Sequence, residues 1–128
     1  MSNKVICIID DDPIYQLLIK KVITISKTDY STISFKNGRE ALDYFTAREP
    51  ENLPDIILLD IEMPIMDGWD FLNEIEKRNT TQTTIYLVTS SISHEDKEKT
   101  KSFSKISGFF SKPLDVDKIL QITKAQKK

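Results

Sequence analysis

The chain has 128 residues, 39% of them apolar, and a formal net charge of −2. That suits one domain around one core, expected over residues 1–128 with no output domain. Acidic and basic residues are mixed along the chain, which excludes a basic face for nucleic acid, and no apolar stretch approaches the ~20 residues that span a bilayer.

The first predicted element is a strand over residues 4–9, apolar without alternation, as in a parallel sheet covered on both faces. It contains the single cysteine, Cys7, for which a small buried thiol is the expected state. The run stops at Asp10-Asp11-Asp12, so it is not a signal peptide, and a cytoplasmic protein is expected. A helix follows over 13–26, with Asp12 as cap and Pro13 in its first turn. Ile14, Leu17, Leu18, Val22 and Ile25 are expected to form its inward face. Residues 30–35 predict an edge strand, since Ile33 and Phe35 alternate with polar residues. The next helix, 38–48, turns Ala41, Leu42 and Phe45 inward, and Pro50 and Pro54 mark 49–54 as a loop.

Residues 55–60 (DIILLD) form the clearest buried strand. A turn over 63–68 leads to a helix over 69–78 with Phe71, Leu72 and Ile75 as core; Trp69 is either partly exposed packing or an interface residue. Residues 85–89 predict the fourth strand, and Ser93-His94-Glu95-Asp96 resembles a capping box. The helix it opens, to about 104, has Phe103 as its only large apolar residue. That helix is either barely anchored or a solvated face awaiting a partner. A fifth strand is predicted at 107–111, then a helix over 116–126 capped by Asp115, with Val116, Ile119, Leu120 and Thr123 inward. Alternating strands and helices imply an α/β fold: a parallel sheet, helices on both faces and right-handed crossovers.

In such sheets sites form at the carboxyl ends of the strands. Here those ends are Asp10-Asp11-Asp12, Asp60 with Glu62 just beyond, Thr89-Ser90-Ser91, and Lys112-Pro113. Clustered carboxylates repel, and a divalent cation removes the conflict. Oxygen ligands without His or Cys favour a hard ion, Mg²⁺ or Mn²⁺. The Lys112 ammonium has the reach to meet either the Asp60 carboxylate or the oxygens of a phosphoryl group. A cis Lys112–Pro113 bond would aim it inward, which residue order leaves open. The Thr89 hydroxyl is placed to donate to an anionic oxygen.

Asp10-Asp11, LLDIEMPIMDG with Asp60 in it, Thr89-Ser90 and Ser111-Lys112-Pro113, in this order and spacing, resemble the response-regulator receiver domains over essentially the whole chain. The resemblance implies a doubly wound, flavodoxin-like sheet of order 2-1-3-4-5 with five helices. It implies that Asp60 accepts a phosphoryl group. Asp11, Asp60 and the backbone carbonyl of Glu62 would bind the metal directly, and Asp10 mainly through water. It further implies that Lys112 pairs with the phosphoryl group, that Thr89 bonds a phosphoryl oxygen, and that Phe109 is a switch aromatic. Ordinary core packing is the alternative for Phe109. Glu62 and Ser91 stand where they would influence water reaching the acyl phosphate. The implied partners are a sensor histidine kinase or histidine phosphotransfer protein and an unknown output protein, met by a monomer or weak dimer. The surface for output contacts is expected on the fourth helix, fifth strand and last helix.

A second reading is a phosphohydrolase of the haloacid-dehalogenase type, because Asp60-Ile61-Glu62 loosely matches its Asp-x-Asp motif. That family carries the motif near the start of its sheet and needs a cap, for which this chain has no room.

Overall fold

The apolar runs form the strands of one parallel sheet. In chain order the elements are β1 (Val5–Ile9), α1 (Pro13–Ile25), β2 (Ser31–Phe35), α2 (Gly38–Thr46), β3 (Ile56–Leu59), α3 (Gly68–Glu76), β4 (Thr84–Thr89), α4 (His94–Thr100), β5 (Ile106–Ser111) and α5 (Val116–Lys124). The strand order is β2-β1-β3-β4-β5, as the resemblance implied. The computed structural model describes residues 4–48, 53–77, 83–90, 93–103 and 106–125. Ser91, Pro50 and most of the predicted loop at 49–54 lie outside them. Among the described residues no helix is long and apolar enough to cross a membrane.

Successive side chains leave a strand on opposite faces. Ile6, Ile8, Ile56, Leu58, Tyr86 and Val88 pack with Tyr15, Ile19 and Ile23 of α1 and Ile119 and Ile122 of α5. Cys7, Ile9, Ile57, Leu59, Ile85 and Leu87 pack with Ala41, Leu42 and Phe45 of α2 and Phe71, Leu72 and Ile75 of α3. The central strands are therefore covered twice, which is why their sequences show no alternation. Burial also pushes the Cys7 thiol well above its ordinary pKa, so it stays protonated and packs as a small apolar group.

The inward face expected for α1 is corrected. Ile14 and Leu17 are 78% and 72% exposed, and Leu18 and Ile25 are exposed as well. The buried residues are Tyr15, Ile19 and Ile23, with Val22 packed at their margin. Apolar residues occupy most of this helix's circumference, so a 3.6-residue period fits more than one face. The entry angle decides between them. Asp12 accepts the N–H groups of Ile14 and Tyr15 at 2.9 and 3.2 Å, and Tyr15 then turns towards the sheet. In α5 the buried set is Ile119, Ile122 and Thr123, while Val116 and Leu120 are only half-buried.

The capping box of α4 is present, between Ser93 and Asp96, but none of the residues of α4 is buried. Its anchor lies just past its end. Phe103 stacks on Trp69 with ring centroids 5.8 Å apart, and the Lys99 ammonium sits 4.9 Å from the Trp69 ring. Trp69 is thus buried packing, not exposed surface.

Candidate functional site

β1 and β3 are neighbours, with Ile9 opposite Leu59. The next residue of each strand, Asp10 and Asp60, therefore emerges at the same carboxyl edge. The backbone ladder continues one step into the site: Asp60 N–H donates to the Ile9 carbonyl (3.0 Å) and Asp10 N–H to the Phe35 carbonyl (3.1 Å). The Gln16 amide nitrogen donates to the carbonyls of Asp10 (2.6 Å) and Phe35 (2.8 Å), tying the acidic loop to α1. Asp10 Oδ1 accepts the Asp12 N–H at 2.9 Å, and Asp60 Oδ1 accepts the Ile61 N–H at 2.9 Å.

Asp10, Asp11 and Asp60 each offer a carboxylate oxygen, all within 4.8 Å of one another. Asp10 and Asp60 are buried and Asp11 is exposed. Burial first, and the Asp10 carboxylate second, push Asp60 up to about 6 against the opposing pull of Lys112 and the Ile61 N–H. This donor set fits a hard divalent cation: it is all oxygen, partly open to solvent, and strained by its own charge. Glu62 is exposed, and together with Asp11, Met63, Trp69 and Asp96 it lines a depression of about 560 Å³ beside the acids.

β5 brings Lys112 to the same edge. Its N–H donates to the Thr89 carbonyl at 2.9 Å, which fixes the end of β5 against that of β4. The Lys112–Pro113 bond is cis. The ammonium lies 2.6 Å from Asp10 Oδ2 and 3.6 Å from Asp60 Oδ2, so its shorter pairing is with Asp10. Its side chain is only 15% exposed. Thr89 is buried at the end of β4, on the strand next to β3. The sheet thus brings Asp10, Asp11, Asp60, Thr89 and Lys112 to one edge.

Phe109 does not join them. It is 40% exposed, with the Lys97 ammonium 5.8 Å from its ring, so core packing does not describe it here. Two neighbours went unnoticed in the sequence. Asp96 adds an acid to the depression from the first turn of α4. Tyr15 places its ring 4.4 Å from the Lys112 ammonium. Burial, then Asp10 and Asp60, push the Tyr15 phenol far up, so it stays neutral. No spacing signal marks either residue, because both contacts cross between elements.

The family profile described as response regulator receiver domain matches residues 6–124. The chain belongs to this family. Sporulation initiation phosphotransferase F of Bacillus subtilis (strain 168) is 30% identical over 124 residues, covering 97% of this chain and 94% of that protein. Chemotaxis protein CheV2 of Helicobacter pylori is 28% identical over 124 residues; the match takes in 95% of this chain but 39% of that protein. A two-component response regulator from Legionella pneumophila has a crystal structure that superposes with a TM-score of 0.85 at 26% identity, covering 98% of each chain. The receiver domain is thus a two-component signalling module with the flavodoxin-like fold, and the haloacid-dehalogenase alternative is not favoured.

Proposed function

We propose that Asp60 is the phosphoacceptor of this receiver domain and that it catalyses its own modification without being a turnover enzyme. The observation that carries the reading is the joint placement of Asp60 within the 4.8 Å acid cluster and 3.6 Å from the Lys112 ammonium. An Asp60 oxygen attacks phosphorus, and the bond from phosphorus to the donor breaks. Phosphoryl transfer depends mainly on positioning and charge neutralisation. Asp11, Asp60 and the Glu62 backbone carbonyl would hold Mg²⁺ or Mn²⁺ directly and Asp10 mainly through water, and the ion would neutralise the phosphoryl oxygens. Lys112 moves from Asp10 to the new phosphoryl group, and Thr89 donates to one of its oxygens. The added charge, roughly −1.5 to −2 on the scale of other phosphorylated side chains, then favours the state in which the end of β4 and Phe109 move inward. That shift is read out on α4, β5 and α5.

The test is incubation with acetyl phosphate and Mg²⁺ followed by intact-mass measurement. One phosphoryl group is expected on the wild type and none on Asp60→Asn or in the presence of EDTA. Labelling of Asp60→Asn to the wild-type extent would sink the assignment.

The donor in a signalling pathway is a histidine kinase or phosphotransfer protein, and it must bring its phosphohistidine to this edge. The exposed apolar side chains of α1 begin there, at Ile14 and Leu17. Covering them gives such a donor its hold. The double variant Ile14→Ser, Leu17→Ser is expected to accept phosphate from acetyl phosphate at the wild-type rate, while transfer from a phosphohistidine protein slows more than roughly tenfold, about 1.4 kcal/mol. Equal rates from both donors would remove α1 from the docking face.

A further inference from the structure

Lys112 brings its ammonium to the acid edge, where three groups among the described residues lie around it: Asp10 at 2.6 Å, Asp60 at 3.6 Å and the centre of the Tyr15 ring at 4.4 Å. A lysine head on a flexible four-carbon stem is placed only as well as its contacts hold it. On the proposed function, both carboxylate contacts change during the reaction. Asp60 becomes an acyl phosphate, and Asp10 takes part in holding the metal. The aromatic face is the one contact of these three that remains the same before and after transfer.

Tyr15 is built to be such a fixed point. It lies in the first turn of α1, whose start is held by the Asp12 cap on its own N–H. Tyr15 is 9% exposed as a residue and belongs to the core with Ile8, Leu114 and Ile119. Its hydroxyl is buried without a hydrogen-bond partner among the described residues. Packing of the ring, not bonding of the oxygen, therefore determines where the side chain sits. The distance to Lys112 is within the ~6 Å over which a ring face attracts a cation, and the Lys112 side chain is only 15% exposed, so water screens that attraction less than it would at the open surface.

We infer that Tyr15 is a positioning residue for phosphoryl transfer, its ring face holding the Lys112 ammonium at the acid edge while the carboxylates change partners. The inference rests on the Asp60 reading and adds a residue to it.

The experiment follows phosphorylation by acetyl phosphate with saturating Mg²⁺, by intact mass, in wild type, Tyr15→Phe and Tyr15→Leu, and again with Lys112→Ala in each. Tyr15→Met, which has bulk but no ring, replaces Tyr15→Leu if the latter does not fold. Tyr15→Phe is expected within about twofold of wild type, because the hydroxyl has no hydrogen-bond partner among the described residues. Tyr15→Leu is expected to lower the maximal rate roughly fivefold to thirtyfold, the range of a partly to fully desolvated cation–π contact. The acetyl phosphate concentration at half-maximal rate should stay the same. In the Lys112→Ala background the same change should cost no more than about twofold, because the group it positions is gone. A wild-type rate in Tyr15→Leu, or the same loss with Lys112 absent, overturns the role. So does a Tyr15→Phe variant as slow as Tyr15→Leu, which would assign the action to the hydroxyl. Failure of the Asp60 reading shows itself separately, as an unlabelled wild type, and the role of Tyr15 falls with it.

Discussion

Asp60→Asn is expected to make the metal-free protein more stable than wild type at pH 7 and to leave its stability unchanged near pH 3. Burial and the Asp10 carboxylate push Asp60 from an ordinary 3.8 up to about 6. The folded protein therefore keeps a proton on Asp60 at pH values where the unfolded chain has lost it. Where the folded state binds more protons, stability falls as pH rises. The loss from this group begins near pH 4 and is complete a little above pH 6. Its size is on the order of 3 kcal/mol from the free energy of one pKa unit. Asparagine carries no charge, still offers an oxygen to the Ile61 N–H, and leaves Lys112 paired with Asp10 at 2.6 Å. Urea unfolding in EDTA across pH 3–8 measures the difference. Curves for the two proteins that stay parallel from pH 4 to 7 would refute it. Mg²⁺ acts on the same charge, so it should stabilise the wild type at pH 7 and bind more weakly below pH 6, where a proton competes for Asp60.

Gly68→Ala is expected to destabilise the fold by roughly 1–3 kcal/mol or more and to slow phosphorylation as well. A Cβ on Gly68 would lie 2.6 Å from the Asp60 carbonyl oxygen and 2.9 Å from the Ile61 Cα. Both are backbone atoms, so no side chain can swing aside. The Gly68 N–H donates to the Ile61 carbonyl at 2.8 Å, which holds the start of α3 close against the residue that follows Asp60. Relief of the clash must push either α3 or the Asp60–Ile61 backbone, and the second displaces the proposed nucleophile. Positioning errors of about an ångström are costly in transfer chemistry. Gly108→Ala is the control. Among the described residues, a Cβ there would meet only the Tyr86 ring at 3.6 Å, an ordinary contact. Equal urea midpoints and phosphorylation rates for the two variants would show that the close approach at Gly68 has no such consequence.

Much of this molecule was legible in residue order. Apolar runs that end abruptly in Asp10, Asp60 and Thr89 identified both the strands and the sheet edge that carries the candidate site. The reason is that every crossover in a parallel sheet returns the chain in the same direction, so all carboxyl ends share one edge. Caps at Asp12 and Asp115 are likewise local: each side chain bonds an N–H two or three residues on. The strand order came from the family resemblance, since pairing between distant segments leaves no local mark.

Only the tertiary structure decided which face of α1 is buried. A helix apolar on several sides has several acceptable stripes, and the entry angle and the sheet choose among them. It likewise buried Trp69 against Phe103 and left Phe109 exposed, two aromatic residues whose flanking sequence did not settle their environments. The same holds inside the site. That Asp60 and Lys112 share an edge follows from topology. That Lys112 pairs more closely with Asp10, over the ring of Tyr15, depends on side-chain distances across separate elements. The sequence by itself thus determined which residues reach the acidic edge, because direction and periodicity are properties of the chain. Packing alone determined what each of them touches there, because contact is a property of the assembled layers.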